Sequence, residues 1–232
     1  MPKVWDRLMK MLVEANPQHL INWLVEGARL TDVMSREMTA RAVEADILYT
    51  VTVDGQEMVL HVEFQRRSDS NMGKRLWEYN TLATFISGLP TCSIVVYLKK
   101  DRKVAVSPYE IRLPTGEVIH RFYYQVIKLW EIESDTLKQS GLEGLLPLLP
   151  LTKNGARYEV VDEMIEALIA ADKKDLLALG YAFAGLVLKS DADKAWLNLS
   201  TLYLFSDLPG ARPTPTIYTK LSCPEDARPA SG

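Results

Sequence analysis

The apolar positions of this chain change period several times, and each change marks an element. Val4, Leu8, Met11 and Leu12 recur at helical spacing with Asp6, Arg7 and Lys10 outside them, which predicts a helix over Val4 to Val13. Asn16 and Pro17 restart a second helix as N-cap and first helical residue; it carries Leu20, Ile21, Trp23 and Leu24 and closes near Gly27. Thr31 to Ala40 fits either a short helix or the start of a strand. From Glu44 to Arg67 the period drops to two on either side of Asp54-Gly55, the dipeptide of a tight hairpin turn. Asn71 to Ser87 predicts a helix with Met72, Leu76, Tyr79, Leu82, Ala83 and Ile86 on one side, capped by Ser68 or Asp69 and closed by Gly88-Leu89-Pro90. Cys92 to Leu98 is a continuous apolar run, the pattern of a strand buried on both faces beside the hairpin in a mixed sheet. Val104 to Leu113 and Val118 to Val126 flank a second hairpin at Pro114-Thr115-Gly116, and Lys128 to Ile132 reads as a further strand. Gly141 to Leu151 reads as an apolar linker. Tyr158 to Ala171, Lys173 to Lys189 and Ala192 to Phe205 follow as amphipathic helices, and the proline-rich stretch Asp207 to Gly232 as a disordered tail.

The expected fold class is therefore α/β, a mixed β-sheet flanked by helices with a helical C-terminal segment. Residues 1–133 would form the sheet domain, 134–206 the helical segment and 207–232 the tail.

A two-residue loop at Asp54-Gly55 sets the hairpin register: Val53 faces Gln56, Thr52 faces Glu57, and Asp46 faces Glu63. One face then carries Ile47, Tyr49, Val51 and Val53 against Met58, Leu60 and Val62, and must be buried. The other carries Asp46, Leu48, Thr50 and Thr52 against Val59, His61, Glu63 and Gln65. Two carboxylates directly opposed in an antiparallel pair stand about 5 Å apart at Cβ and repel. Such a pair persists when a cation lies between them, when one carboxyl is protonated, or when solvent screens both. The surrounding Leu48, Val59 and Val62 speak against exposure, and a hard divalent cation, Mg²⁺ or Mn²⁺, suits an all-oxygen donor set. A bulge in the hairpin would shift the count by one and leave Asp46 as a simple strand end.

An Asp, a hairpin and then Glu-x-Gln resemble the core of the PD-(D/E)XK nuclease superfamily, with Asp46 and Glu63 at the acidic positions and Gln65 where lysine is usual. The blocks WDRLMKMLVEANPQHLINWL, ADILYTV, LHVEFQRRSDSNMGKRLWEY, VVYLKK and GLLPLLPLT together resemble the recombination-promoting nuclease/transposase family (YhgA-like), over about Trp5 to Lys189. That resemblance implies a restriction-endonuclease-like core and Mg²⁺- or Mn²⁺-dependent hydrolysis of DNA phosphodiesters in a recombination or mobile-element setting. It implies Asp46, Glu63 and Gln65 as catalytic residues, and Asp46, Glu63 and the Phe64 carbonyl as metal ligands. A further acidic ligand is expected ahead of the hairpin, with Glu37 the candidate and Glu14 and Glu26 behind it. Arg75 and Tyr79, four apart on one helix face, would contact substrate; alternatively Tyr79 is core and Arg75 a surface charge. Gln65 brings no positive charge to a developing phosphorane, although the glutamine is usual in this branch.

Composition narrows these readings. The 232 residues carry 47% hydrophobic and 25% charged side chains, ample for a packed core. Net charge is −3, so no global field draws nucleic acid, and Lys99, Lys100, Arg102 and Lys103 are the one dense basic cluster, a phosphate contact or a solvated loop. Two cysteines suit a reducing cytoplasm. The longest uncharged apolar run, Leu176 to Leu188, is short of the roughly 18 residues that span a bilayer, so no membrane partner is expected. Three scattered histidines disfavour zinc; His120 reads as structural, and His61 either touches the site or packs within it. The rival to a nuclease is an interaction protein that keeps the fold and uses its C-terminal helices to bind a partner or itself as a homo-oligomer. A transposase with the same site differs only in substrate choice.

Overall fold

The structure, a computed structural model, describes residues 2–34, 37–38, 43–113 and 115–205. Two helices, α1 (Pro2–Ala15) and α2 (Pro17–Leu24), lead into strands β1 (Arg29–Val33), β2 (Glu37–Met38), β3 (Val43–Glu44), β4 (Ile47–Val53) and β5 (Gln56–Gln65). Helix α3 (Met72–Ser87) crosses to β6 (Thr91–Tyr97), followed by β7 (Tyr109–Arg112), β8 (Val118–Phe122) and β9 (Gln125–Lys128). The remainder is helical: α4 (Ser134–Lys138), a 3₁₀ helix at Glu143–Leu151, α5 (Tyr158–Ala170), α6 (Leu177–Val187) and α7 (Asp191–Phe205).

The main sheet has the order β1-β4-β5-β6-β9. Its first three strands are antiparallel, and β6 and β9 run parallel to β5, so the sheet is mixed. Asp54 and Gly55 both take positive φ, 49° and 79°, as a two-residue hairpin turn that follows the strand twist requires. The register runs without a bulge from Ile47↔Val62 to Val53↔Gln56, as the sequence pattern predicts. A bulge appears instead in the edge strand β1, between Leu30 and Asp32.

One sheet face, with Ile47, Tyr49, Val51, Leu60, Val62, Phe64, Ile94 and Val96, belongs to a large cluster shared with α1, α2, α5, α6 and the 3₁₀ helix. The opposite face is covered by α3: Leu48 and Val59 meet Tyr79 and Ala83, while Val95 and Tyr97 meet Met72 and Leu76. Any chemistry on the Glu63 face therefore lies between the sheet and α3.

Several expectations are corrected. Helix α1 buries Trp5, Met9, Leu12 and Val13, whereas Val4 and Met11 are about half exposed. Apolar residues nearly encircle this helix, and the core takes the bulkier Trp5 stripe. Asn16 makes no side-chain cap, and α2 stops at Leu24, with Gly27 (φ 75°) turning the chain into β1. Residues 141–151 are no linker: Leu145 to Leu151 are all buried in a 3₁₀ helix, because Pro147 and Pro150 lack the N–H groups of an α-helical ladder. The predicted Lys128–Ile132 strand lies earlier, at Gln125–Lys128, and Leu129–Glu131 is a 3₁₀ turn. Ile86, expected on the core side of α3, is exposed. The predicted disordered tail and the Glu37 side chain lie outside the described residues. Among those described, no helix is long and apolar enough to cross a membrane.

Candidate functional site

Asp46 immediately precedes β4, and its backbone faces Glu63 across the pair: Asp46 N–H points at Glu63 Oε1 at 3.4 Å. The Asp46 carboxylate turns back on the hairpin, and its Oδ2 accepts the Phe64 N–H at 2.8 Å. Oδ1 lies 3.6 Å from Lys10 Nζ, and the same ammonium is 3.3 Å from Asp6 Oδ2. Lys10 thus bridges the Asp6 and Asp46 carboxylates. Burial, followed by the charge of Glu63, raises Asp46 from 3.8 to about 7; the Phe64 N–H opposes that rise and Asp6 adds to it.

Glu63 is 3% exposed. Its Oε2 takes a 2.7 Å ion pair from Arg75 Nη2, and Arg75 Nη1 reaches Asp69 Oδ2 at 3.3 Å. On the other side, His61 Nε2 lies 3.4 Å from Glu63 Oε1 and its Nδ1 3.0 Å from Ser93 Oγ. Asn80 Nδ2 donates to Ser93 Oγ at 3.0 Å. Glu63, ion-paired with Arg75, offers Nε2 an acceptor, which places the His61 proton on Nε2 and leaves Nδ1 to accept from the Ser93 hydroxyl. The wholly buried His61 is thus part of the Glu63 environment.

Tyr79 packs in the small cluster with Leu48 and Val59 and tilts against His61, ring centroids 5.4 Å apart. Burial and then the charge of Glu63 push its phenol above its usual range. Gln65 ends β5 half-buried and lines a cleft with Trp5 and Asp6, rather than joining Arg75 on Glu63. The Phe64 ring lies in the main core, so this residue reaches the site through its backbone alone. His120, on the exposed β8, stacks obliquely on Trp77.

The structure therefore gathers Asp46, Glu63, the Phe64 backbone and Arg75, and sets Tyr79 behind His61. It adds Asp6, Lys10, Ser93 and Asn80. Asp6 was missed because the predicted phase of α1 turned it outward; rotating the buried stripe onto Trp5 and Met9 carries Asp6 and Lys10 to Asp46. Among the described residues, no three Asp, Glu, His or Cys side chains are arranged to hold a metal ion. No family model, curated protein or solved structure matches the chain.

Proposed function

We propose that this protein is a Mg²⁺- or Mn²⁺-dependent DNA endonuclease acting in a recombination or mobile-element setting. The observation that carries the reading is the buried Asp46–Glu63 pair, in which burial and then the charge of Glu63 raise Asp46 to about 7. A carboxyl so displaced marks a place where positive charge is wanted, and the donors around it are hard oxygens, which fit these ions in kind. Asp46, Glu63 and the Phe64 carbonyl would hold the ion, with Asp6 beyond Lys10 at the edge of the pair. Such an ion brings Lewis acidity to a phosphoryl oxygen and to water. Gln65 offers a donor and an acceptor to orient a water, and Arg75, already beside Glu63, stands ready to hold a phosphate oxygen. His61 and Ser93 fix the orientation of Glu63 from below.

The reading is tested by nicking of supercoiled plasmid with Mg²⁺, Mn²⁺ or EDTA, beside Asp46→Ala and Glu63→Ala. Metal-dependent nicking lost in both variants is the expected result. Equal nicking by all three proteins would overturn it.

One observation favours the alternative, a nuclease-fold interaction module: Lys10 and Arg75 already compensate both carboxylates without a metal ion. That reading predicts no nicking and no shift in Tm with Mg²⁺ by folded protein.

A further inference from the structure

Two loops meet at the carboxyl ends of the parallel strands β5 and β6, the end of an α/β sheet where ligands bind. They are tied together: Leu98 N–H donates to the Gln65 carbonyl at 2.8 Å, and Ser68 N–H donates to Asp101 Oδ2 at 2.9 Å. The tie brings Arg66 and Arg67 to the edge that carries Lys99, Lys100, Arg102 and Lys103. None of these six side chains forms an ion pair among the described residues. Arg7, Arg29, Arg157, Lys173, Lys174 and Lys189 are likewise without one there, but stand singly or in pairs along the chain. Lys74, Arg112, Arg121, Lys128, Lys138, Lys153 and Lys194 are paired with carboxylates. The nearby acids are committed elsewhere. Asp101 is held below the usual carboxylate range by the Ser68 and Lys103 N–H groups, and Asp69 is taken up by Arg75 and the Asn71 N–H. A chain of net charge −3 thus concentrates unpaired cations on one edge.

Between this edge and α1 opens a cleft of about 200 Å³. Trp5, Phe64 and Leu98 form its apolar floor, and Gln65, Arg66 and Arg67 its polar mouth. Asp6 lines the cleft as well, and Lys10 bridges its carboxylate to that of Asp46.

We propose that this cleft takes one unpaired nucleobase of a DNA strand whose phosphates follow the basic edge. The substrate class is then single-stranded DNA or a single-strand/duplex junction, including the locally unpaired stretches of supercoiled plasmid, rather than relaxed duplex; this rests on DNA being the substrate of the Asp46–Glu63 site. An apolar floor covers the face of a base, and any base has such a face, so the cleft is tolerant of sequence. The Gln65 amide matches either polarity of a base edge. The two arginines supply charge to flanking phosphates and planar surface for stacking. A paired base hides its faces in the helix stack and cannot enter so narrow a cleft. Because Lys10 connects Asp6 in the cleft to Asp46, the phosphodiester beside the bound base arrives next to the carboxylates.

The test is fluorescence anisotropy of the full chain in EDTA, which prevents cleavage, with a labelled single strand, an abasic strand of equal length and a blunt duplex. Expected is binding of the single strand about tenfold or more tighter than either of the others. The pairs Arg66→Ala/Arg67→Ala and Lys99→Ala/Lys100→Ala, at wild-type Tm, should each weaken it. Each pair should also flatten the dependence of log K on log salt by about 1.4 for two lost phosphate contacts. Equal affinity for all three oligonucleotides overturns the cleft, and this comparison needs no variant to fold. Metal-dependent nicking by a protein whose arginine and lysine variants bind as wild type overturns the basic edge and leaves the nuclease. Strand binding as described without any nicking overturns the nuclease and leaves the strand site. Binding of acidic peptides but of no oligonucleotide overturns the proposal in favour of a protein partner.

Discussion

The Arg75 guanidinium lies 2.7 Å from Glu63 Oε2, so the most deeply buried carboxylate of the site is compensated by a side chain from the helix that covers it. A buried charge stripped of its partner is costly, but Arg75 itself is about one-third exposed, which reduces the loss to about 2 kcal/mol. Arg75→Ala is therefore expected to lower Tm by about 4–8 °C in EDTA. Mg²⁺ should recover more of that loss in the variant than it adds to wild type, since the ion then meets Glu63 without competition. Thermal melts of both proteins, with and without Mg²⁺, provide the check; an unchanged Tm in EDTA would show that the ion pair contributes nothing.

Asp46 predicts how stability follows pH. In the unfolded chain it ionises near 3.8, and in the fold near 7, so between these values the folded state retains a proton that the unfolded state has released. The stability this group contributes is complete below about 3.8 and is lost as pH rises through about 7. The lowered pKa values of Asp101, Glu110 and Asp193 act in the opposite sense, at acid pH. Asp46→Asn should flatten the decline of Tm between pH 5 and 8 and melt above wild type at pH 8. Parallel pH profiles for the two proteins would remove Asp46 as the cause.

Ser93 supports the His61 tautomer that Glu63 selects. Glu63 Oε1 faces the Nε2 proton, and the Ser93 hydroxyl, which also accepts from Asn80, donates to Nδ1. Ser93→Ala removes that donor from a fully buried ring and strands the Asn80 amide proton, which should cost about 1–3 kcal/mol. Imidazole ¹⁵N shifts measured by NMR should report the Nε2–H form in wild type and a mixture in the variant. A wild-type spectrum in Ser93→Ala would mean that Glu63 alone orients the ring.

What could be read from the sequence was local. The hairpin register follows from Asp54-Gly55 and a period of two, and every pair from Ile47↔Val62 onward obeys it. The run from Cys92 to Leu98 announces a strand covered on both sides, and β6 is one. Long-range choices were not legible. Sequence spacing puts Arg75 and Tyr79 on one helix face, but it does not show that Arg75 pairs with Glu63 on β5 and with Asp69 in the loop before α3. Apolar residues at positions 4, 5, 8, 9, 11, 12 and 13 of α1 leave its buried stripe open, and only packing against the rest of the core decides it. That decision carries Asp6 to Asp46. The leucines of residues 142–151 show burial, but the prolines among them suggest a break, and a 3₁₀ helix satisfies both.

The helical C-terminal segment supports the site from the far side of the sheet. Trp5 and Phe183 meet at 6.4 Å between ring centroids, and Met9, Leu148, Leu168 and Phe183 belong to the cluster that contains Ile47 and Phe64. Helices α5 and α6 press together at Gly180, where a Cβ would stand 2.7 Å from the Met164 methyl. Since α1 carries Trp5, Asp6 and Lys10, loosening α6 should release the Lys10 ammonium from Asp46. Phe183→Ala should cost about 3–5 kcal/mol, roughly 6–20 °C in Tm. Measured well below that Tm, the variant should still lose metal-dependent nicking and the pH dependence assigned to Asp46, although its side chain touches neither. A fragment ending at Glu133 should show no cooperative melt, because it leaves that cluster open to water. A fragment that melts cooperatively and nicks like the whole chain would show instead that the sheet domain holds α1 in place unaided.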